Sequence, residues 1–573
     1  MRNEPGPRTK LSQEIHALKY RLDNESFEEC IYRIANALKD GDDHFHDLKD
    51  VLMDMRFLPG GRVQAAIGSP RATTAYNCFV SGIIDDSMES IMDRAKEAAE
   101  TMRRGGGIGY DFSLLRPRGD LIKSLDSRAS GPISFMAIFD AVCQTIASAG
   151  HRRGAQMGVL RIDHPDVEDF VRAKHNSDKL TGFNISVGVT DRFMECLKTG
   201  EKFPLEWEGR VYRYIDPKML WDQIMRSTWD WAEPGVLFID RINHMNNLWY
   251  CEKIGATNPC GEQPLPPYGA CLLGSFNMTK YITPQGDSRK PLFDLNRLIK
   301  DIHIVVRAMD NVVDRTIYPL PMQQAEAKAK RRMGLGVTGM ANALELLGHS
   351  YGSPQYIAGQ NSILAVIRDE TYRASSLLAA EKGSFPMFDL EKYLEGDFIN
   401  TLSDDVQRSI ALHGIRNSHL TSIAPTGTIS LTADNVSSGI EPPFMLYYDR
   451  TIQTFEGPKV ERVNDFAYGT WGVAGKTANE ISAQDHVRVL ASAQTYVDSA
   501  VSKTCNVGDE VTFDDFKSLY ETGWALGCKG LTTFRASGKR FGILNAPAEA
   551  EKEEAKAEAC TFDPSTGMRT CEV

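Results

Sequence analysis

The stretch Asn258-Pro259-Cys260-Gly261-Glu262, followed at 268–277 by YGACLLGSFN, decides how the rest of the chain is read. Pro259, Pro264, Pro266 and Pro267, with Gly261 and Gly269, preclude regular helix here and favour a loop able to push a thiol into a cavity. Three useful groups then share one loop: Cys260 as a reactive sulfur, Glu262 as a base and Asn258 as an amide that orients a hydroxyl. A lone NPCGE also reads as a surface turn with an incidental cysteine. The flanking sequence has to separate the two.

On both sides of this loop, from about 180 to 540, β-rich runs such as 183–189 and 421–423 alternate with helical stretches such as 342–347 and 361–382, the pattern of an α/β architecture. Residues 87–104 predict a helix, capped by Asp86 or Ser87, with Met88, Ile91, Met92 and Ala95 on one apolar stripe and Gly105-Gly106-Gly107 as its end. The GGGIG at 105–109 follows a helix and not a strand, so it is not a dinucleotide fingerprint. Ala424 to Ser430, APTGTIS, follows an apolar run; its small and hydroxyl residues suit a loop whose N–H groups face phosphate, although it lacks a Walker lysine and PTGT also fits a plain turn.

Ahead of the α/β region, residues 1–56 form a short lead-in with two helical stretches, around Ile15–Leu22 and Phe27–Leu38, running into a turn at Pro59-Gly60-Gly61. Behind it, 546–559 is an acidic run of Ala, Glu and Lys without a large apolar residue, which predicts a flexible tether. It leads to a last segment, 560–573, carrying Cys560 and Cys571. The catalytic body is accordingly expected over 57–545.

With 42% hydrophobic and 25% charged residues in 573, the composition is that of an ordinary globular enzyme. A net charge of -11 excludes broad binding to a nucleic acid polymer, so any nucleotide bound is a small one in a pocket. No apolar run approaches the roughly 20 residues that span a bilayer, which makes a cytoplasmic enzyme the default. Eleven cysteines, unevenly spaced and without paired CxxC knuckles, suggest neither a disulfide scaffold nor structural zinc, and no metal-ligating residues are proposed.

NPCGE with a second cysteine eleven residues downstream resembles the catalytic loop of ribonucleotide reductases. Five further segments resemble that family in the same chain order: 57–80 (FLPGGRVQAAIGSPRATTAYNCFV), 86–120 (DSMESI…RRGGGIGYDFSLLRPRGD), 151–166 (HRRGAQMGVLRIDHPD), 331–344 (RRMGLGVTGMANAL) and 416–430 (RNSHLTSIAPTGTIS). The resemblance spans nearly everything before the tether. It implies a ten-stranded α/β barrel of two antiparallel five-stranded parallel half-sheets, with a central finger loop carrying the radical cysteine.

It also implies roles. Cys260 carries the thiyl radical, Glu262 takes a proton and Asn258 orients a hydroxyl; Cys78 and Cys271, each otherwise readable as a small buried apolar side chain, supply two electrons and end as a disulfide. Asn77, Gly107 and the loop Pro425, Thr426, Gly427, Thr428 and Ile429 hold the ribonucleotide substrate. Asp86, Ser87, Met88 and Arg116, with Arg152 and Arg153 in the 151–157 loop, surround a dNTP or ATP specificity effector, although a helix cap and a solvated basic turn would look the same. Cys560 and Cys571 pass electrons from a thioredoxin-like reductant, despite a ten-residue separation wider than is usual in the family. The 87–104 helix suits packing in a homodimer.

Within the family, the run Lys529-Gly530-Leu531-Thr532-Thr533-Phe534-Arg535 lacks the tyrosine pair that relays a radical from a metal-bearing subunit, and Tyr447-Tyr448 lies elsewhere and reads as packing. The C-terminus GMRTCEV lacks the glycyl-radical motif, and Glu262 is present. The branch that remains uses adenosylcobalamin. A different radical generator, and a non-catalytic nucleotide-binding regulator on the same scaffold, are the alternatives; the regulator would have shed the thiols that are all present here. The lead-in is too short for an ATP-cone domain.

Overall fold

The computed structural model describes residues 5–122, 126–148, 152–153, 155–175, 179–283, 291–454, 457–535, 538, 560–563 and 568–571. The lead-in helices Lys10–Tyr20 and Phe27–Leu38 begin where Thr9 and Ser26 accept the N–H groups of Ser12 and Glu29, and Ser26 and Glu29 close a capping box. A third helix, Asp42–Met53, follows them, which the periodicity had not singled out. Only Phe45, Leu48, Val51 and Leu52 of it are buried, so a narrow apolar stripe is hidden among polar residues. The lead-in is tied to the body by Asn311 Nδ2 donating to Leu38 O at 2.8 Å and by Ser12 Oγ donating to Leu431 O at 2.6 Å.

Five strands, β1 (Cys78–Val80), β2 (Gly107–Asp111), β3 (Gln156–Arg161), β4 (Phe183–Val189) and β5 (Gly235–Phe238), pair in parallel in that order. Five more follow: β6 (Ala270–Cys271 running on as Leu273–Asn277), β7 (Gly334–Thr338), β8 (421–423), β9 (Thr504–Val507) and β10 (Gly530–Arg535). They too are parallel to one another, with β8 joined by the single bridges Leu335↔Thr421 and Ile423↔Val501. Antiparallel seams, β6 on β1 and β5 on β10, link the two sets. Followed from neighbour to neighbour, the pairings return to their start, giving the expected α/β barrel of two half-sheets.

The strands read as they do because helices cover their outer faces. β7 is buried at all five positions and β4 at all but one, which is why they lack the alternation of a half-exposed sheet. Helices such as Met88–Arg103, Pro132–Thr145 and Leu295–Arg315 form the crossovers that parallel neighbours require. One connection differs. Between β5 and β6, where the chain passes from one half-barrel to the other, Ala256–Thr257 pairs antiparallel with Pro264–Leu265, and Cys260 lies at the tip of this hairpin. Tyr448 is buried in a hairpin outside the barrel, donating to Asn435 Oδ1 at 3.1 Å, in keeping with a packing role.

Candidate active site

The finger tip is closed by its own polar groups. Asn258 N–H donates to Gln263 O at 3.0 Å, Gly261 N–H donates to Asn258 O at 3.0 Å, and Gln263 N–H donates to Asn258 Oδ1 at 2.9 Å. Gly261 turns the tip at φ +81°, a left-handed conformation suited to glycine. The finger can cross the barrel wall because β2 is glycine-rich: a Cβ on Gly109 would stand 1.9 Å from Thr257 O, and one on Gly107 would meet Cys78 Sγ at 3.2 Å and Pro259 Cγ at 3.3 Å. These glycines of GGGIG therefore admit the finger.

Asn258 and Glu262 are buried, whereas Cys260 is half-buried at the tip. Asn258 Nδ2 and Asn77 Oδ1 are both buried without a hydrogen-bond partner among the described residues. Gln263 Nε2 and Oε1 on the same finger are in the same position, although buried polar atoms ordinarily have partners. Below the tip, β6 and β1 put Cys271 directly opposite Cys78, and β1 pairs Cys78 with Gly107 on its other side. Residues opposed in an antiparallel ladder have β-carbons about 4.5–5.5 Å apart, within reach of disulfide closure after a small adjustment. Both are thiols here. Burial pushes the Cys271 thiol well above its ordinary range, and the negative forms of Cys78, Glu262 and Cys260 add to that shift. Cys78, Glu262 and Cys260 are therefore all within electrostatic reach of Cys271.

The APTGTIS segment turns into the short helix Gly427–Thr432, whose first N–H groups, on Gly427, Thr428 and Ile429, lack a carbonyl four residues back. Pro425 is half-buried ahead of it. Thr426 takes a left-handed φ of +54°. Its Oγ1 lies 3.0 Å from Thr338 Oγ1 and accepts Gly439 N–H at 2.8 Å. Thr338 donates on to Ser437 O, Ser437 N–H to Asn342 Oδ1, and Asn342 Nδ2 to Asp465. Thr338, Asn342 and Asp465 carry no sequence signal of this brace beyond the resemblance of the 331–344 segment.

Asp86 accepts both the backbone N–H and the guanidinium of Arg116, Ser87 caps the Met88–Arg103 helix by accepting Ser90 N–H, and Met88 is exposed beside them. These four expected effector residues are thus neighbours. Arg152–Arg153 forms a two-residue strand against Ala147–Ser148, while the side chains of Arg152 and Arg153, and all of His151, lie outside the described residues. So does the tether at 546–559. Cys560–Asp563 pairs antiparallel with Met568–Cys571 so that Cys560 stands opposite Cys571. The separation that looked wide is that of a hairpin.

A barrel of two opposed parallel halves, penetrated by a finger that carries a thiol and a carboxylate above two more thiols, defines a class of thiol-based reductase. The chain belongs to the ribonucleotide reductase family: the profile described as "Ribonucleotide reductase, barrel domain" matches residues 76–468 and 474–534. It is 34% identical, over 93% of its own length and 70% of the relative's, to a Thermoplasma acidophilum protein named vitamin B12-dependent ribonucleoside-diphosphate reductase. A Mycobacterium tuberculosis (strain H37Rv) protein of that name is 35% identical over 91% of this chain and 74% of its own. A Streptomyces avermitilis vitamin B12-dependent ribonucleotide reductase is 28% identical over 94% of this chain and 64% of its own.

Proposed function

We propose that this chain reduces ribonucleotides to 2'-deoxyribonucleotides by radical chemistry at Cys260, with adenosylcobalamin as cofactor and, following the names of its nearer relatives, a nucleoside diphosphate as substrate. The observation that carries this reading is the register of Cys271 against Cys78 under the finger tip that bears Cys260 and Glu262. Adenosylcobalamin, when bound, supplies the radical by homolysis of its cobalt–carbon bond. The tip suits a bulky group: Cys260 is half-buried, and the missing Cβ of Gly261 has nothing within 4 Å, so Cys260 and Gly261 would face it across open space.

The chain's own residues then divide the work. The Cys260 thiyl takes the 3'-hydrogen of the ribose. Glu262 removes the 3'-hydroxyl proton, Cys78 protonates the departing 2'-hydroxyl, and water leaves. Cys78 and Cys271 give up two electrons and one further proton, which reduce the sugar and form the new C2'–H bond, and close a disulfide; Glu262 returns its proton to the 3'-oxygen, and Cys260 returns hydrogen to C3' and regains its radical. Asn258 Nδ2 and Asn77 Oδ1 would hold the sugar, with Gly107, next to Cys78 Sγ and Pro259, as a further contact. Pro425 to Ile429 would hold the phosphates through N–H groups at the helix start.

Around this centre, Asp86, Ser87, Met88, Arg116, Arg152 and Arg153 would read a dNTP or ATP effector, and Cys560 and Cys571 would carry electrons from a thioredoxin-like protein. Exposed Met88 and Met92 on the Met88–Arg103 helix would pack in a homodimer. No helix among the described residues is long and apolar enough to cross a membrane, and a cytoplasmic location goes with this substrate.

The test is reduction of CDP and CTP with adenosylcobalamin, with and without effectors, beside Cys260→Ala. Turnover that depends on the cofactor and vanishes in the variant is expected. Activity sustained without the cofactor by an added diiron or dimanganese subunit, or activity kept by Cys260→Ala, would overturn it.

A further inference from the structure

The finger tip is buried at Asn258, Pro259, Glu262 and Gln263 and open at Gly261. A Cβ on Gly261 would meet nothing within 4 Å, so packing does not hold that side of the turn, and the hydrogen bonds of Asn258 close the tip without attaching it to the barrel. Two peptide carbonyls that flank Cys260 are tied to the barrel by hydrogen bonds. Asn184 Nδ2 donates to Pro259 O, immediately before Cys260, at 3.1 Å. Ser422 Oγ donates to Glu262 O, two residues after Cys260, at 2.9 Å, and Ala500 N–H donates to the same oxygen at 2.9 Å. Asn184 belongs to β4 in the first half-barrel and Ser422 to β8 in the second, so each half grips one side of the tip.

Asn184 is also out of character with its strand. FNISVGV is otherwise apolar or small, and asparagine is disfavoured in strands, so a polar side chain facing the finger needs a reason other than strand formation. Ser422 is buried against the Gly334 backbone, where a Cβ on that glycine would meet its Cβ at 2.7 Å, and its hydroxyl is closer to Glu262 O, at 2.9 Å, than to Ala500 O, at 3.4 Å.

We propose that Asn184 and Ser422 are positioning residues that fix Cys260 and Glu262, respectively, for hydrogen abstraction and proton transfer. The inference rests on the roles given above to those two groups. Because the Pro259–Cys260 peptide is planar, holding its oxygen sets where the Cys260 sulfur can go. Releasing that oxygen lets the peptide rotate about a glycine-bearing turn, and a misplacement of about 1 Å is enough to slow a reaction on the order of 100-fold.

The experiment compares Asn184→Leu, Asn184→Asp and Ser422→Ala with the wild type by two readouts. One is steady-state turnover with adenosylcobalamin. The other, taken on the cofactor-free protein, is the rate at which iodoacetamide alkylates Cys260, followed peptide by peptide by mass spectrometry. Asn184→Asp keeps the shape of the side chain and removes the donor, so it answers even where Asn184→Leu fails to fold. Both Asn184 variants are expected to lower kcat by about 10- to 100-fold with KM within about twofold, and to raise Cys260 alkylation several-fold. Ser422→Ala is expected to lower kcat while leaving Cys260 alkylation near wild type, because it releases the carboxylate end of the tip. Wild-type kcat and alkylation in Asn184→Asp overturn the inference for Asn184, and wild-type kcat in Ser422→Ala overturns it for Ser422. If Cys260→Ala keeps activity, the broader reading fails first; if it is dead while these variants are silent, only the positioning roles fall.

Discussion

Two pairs of cysteines in this chain stand opposite each other across antiparallel strands, Cys78 with Cys271 and Cys560 with Cys571. The first pair joins the two half-barrels at a seam, so its partners come from distant parts of the sequence; the second is made by one local hairpin near the end of the chain. Cys271 is fully buried, and burial pushes its thiol far from the thiolate form that thiol–disulfide exchange requires. The difference teaches that strand register creates a dithiol pair and burial decides what reaches it. On the function proposed above, the first pair is the one that meets the sugar and the second is the one that meets the protein reductant.

The largest effect should come from breaking the barrel pair. Cys78→Ser and Cys271→Ser are each expected to cut multiple turnover on the order of 1000-fold or more, whether thioredoxin or dithiothreitol supplies electrons, since the two sulfurs act as a unit. Turnover of either variant with dithiothreitol would mean that the buried pair is not the proximal donor. Glu262→Gln, which removes one of the negative neighbours of Cys271, should lower kcat by about 100- to 10,000-fold with little change in KM. Wild-type kcat would separate the carboxylate from the thiols.

Breaking the terminal pair should cost less and depend on the reductant. In Cys560→Ser, Cys571→Ser, thioredoxin-driven turnover should fall by about tenfold or more while dithiothreitol-driven turnover stays within about twofold. Equal rates with thioredoxin would end the shuttle role. The smallest effect is one of pH. Burial holds Cys271 as the thiol, so its alkylation should stay slow as pH rises through about 8.5, the value at which a free thiol ionises. The sign follows from linkage: a thiol whose folded pKa is raised stabilises the fold fully below the unfolded value and loses that contribution as pH climbs towards the folded one. Thermal stability should therefore decline on the alkaline side, and slightly less in Cys271→Ser. A Cys271 alkylation rate that climbs with pH as a free thiol's does would show that burial does not govern it.

Much of this was legible in residues. Strand 183–189 and helix 27–38 were read with the bounds they have, because a β-rich run and an amphipathic period are local signals. The loop around Cys260 was legible from its prolines and glycines. Helix Asp42–Met53 was not, since four buried residues among twelve make a weak stripe. The hairpin arms of the finger escaped notice as well, each being only two residues long. Asn184, Ser422 and Thr338 stayed invisible because one side-chain hydrogen bond to a distant carbonyl or hydroxyl leaves no periodic mark.

By itself the sequence determined the alternation of strands and helices and which reactive side chains sit on loops, because these depend on neighbours within a few residues. The tertiary structure alone decided that Cys271 faces Cys78, that Gly109 yields space to Thr257, and that two half-barrels hold the carbonyls beside Cys260. Each of these is a meeting of segments far apart in the chain, set by how the strands close into a ring, and no local preference encodes it.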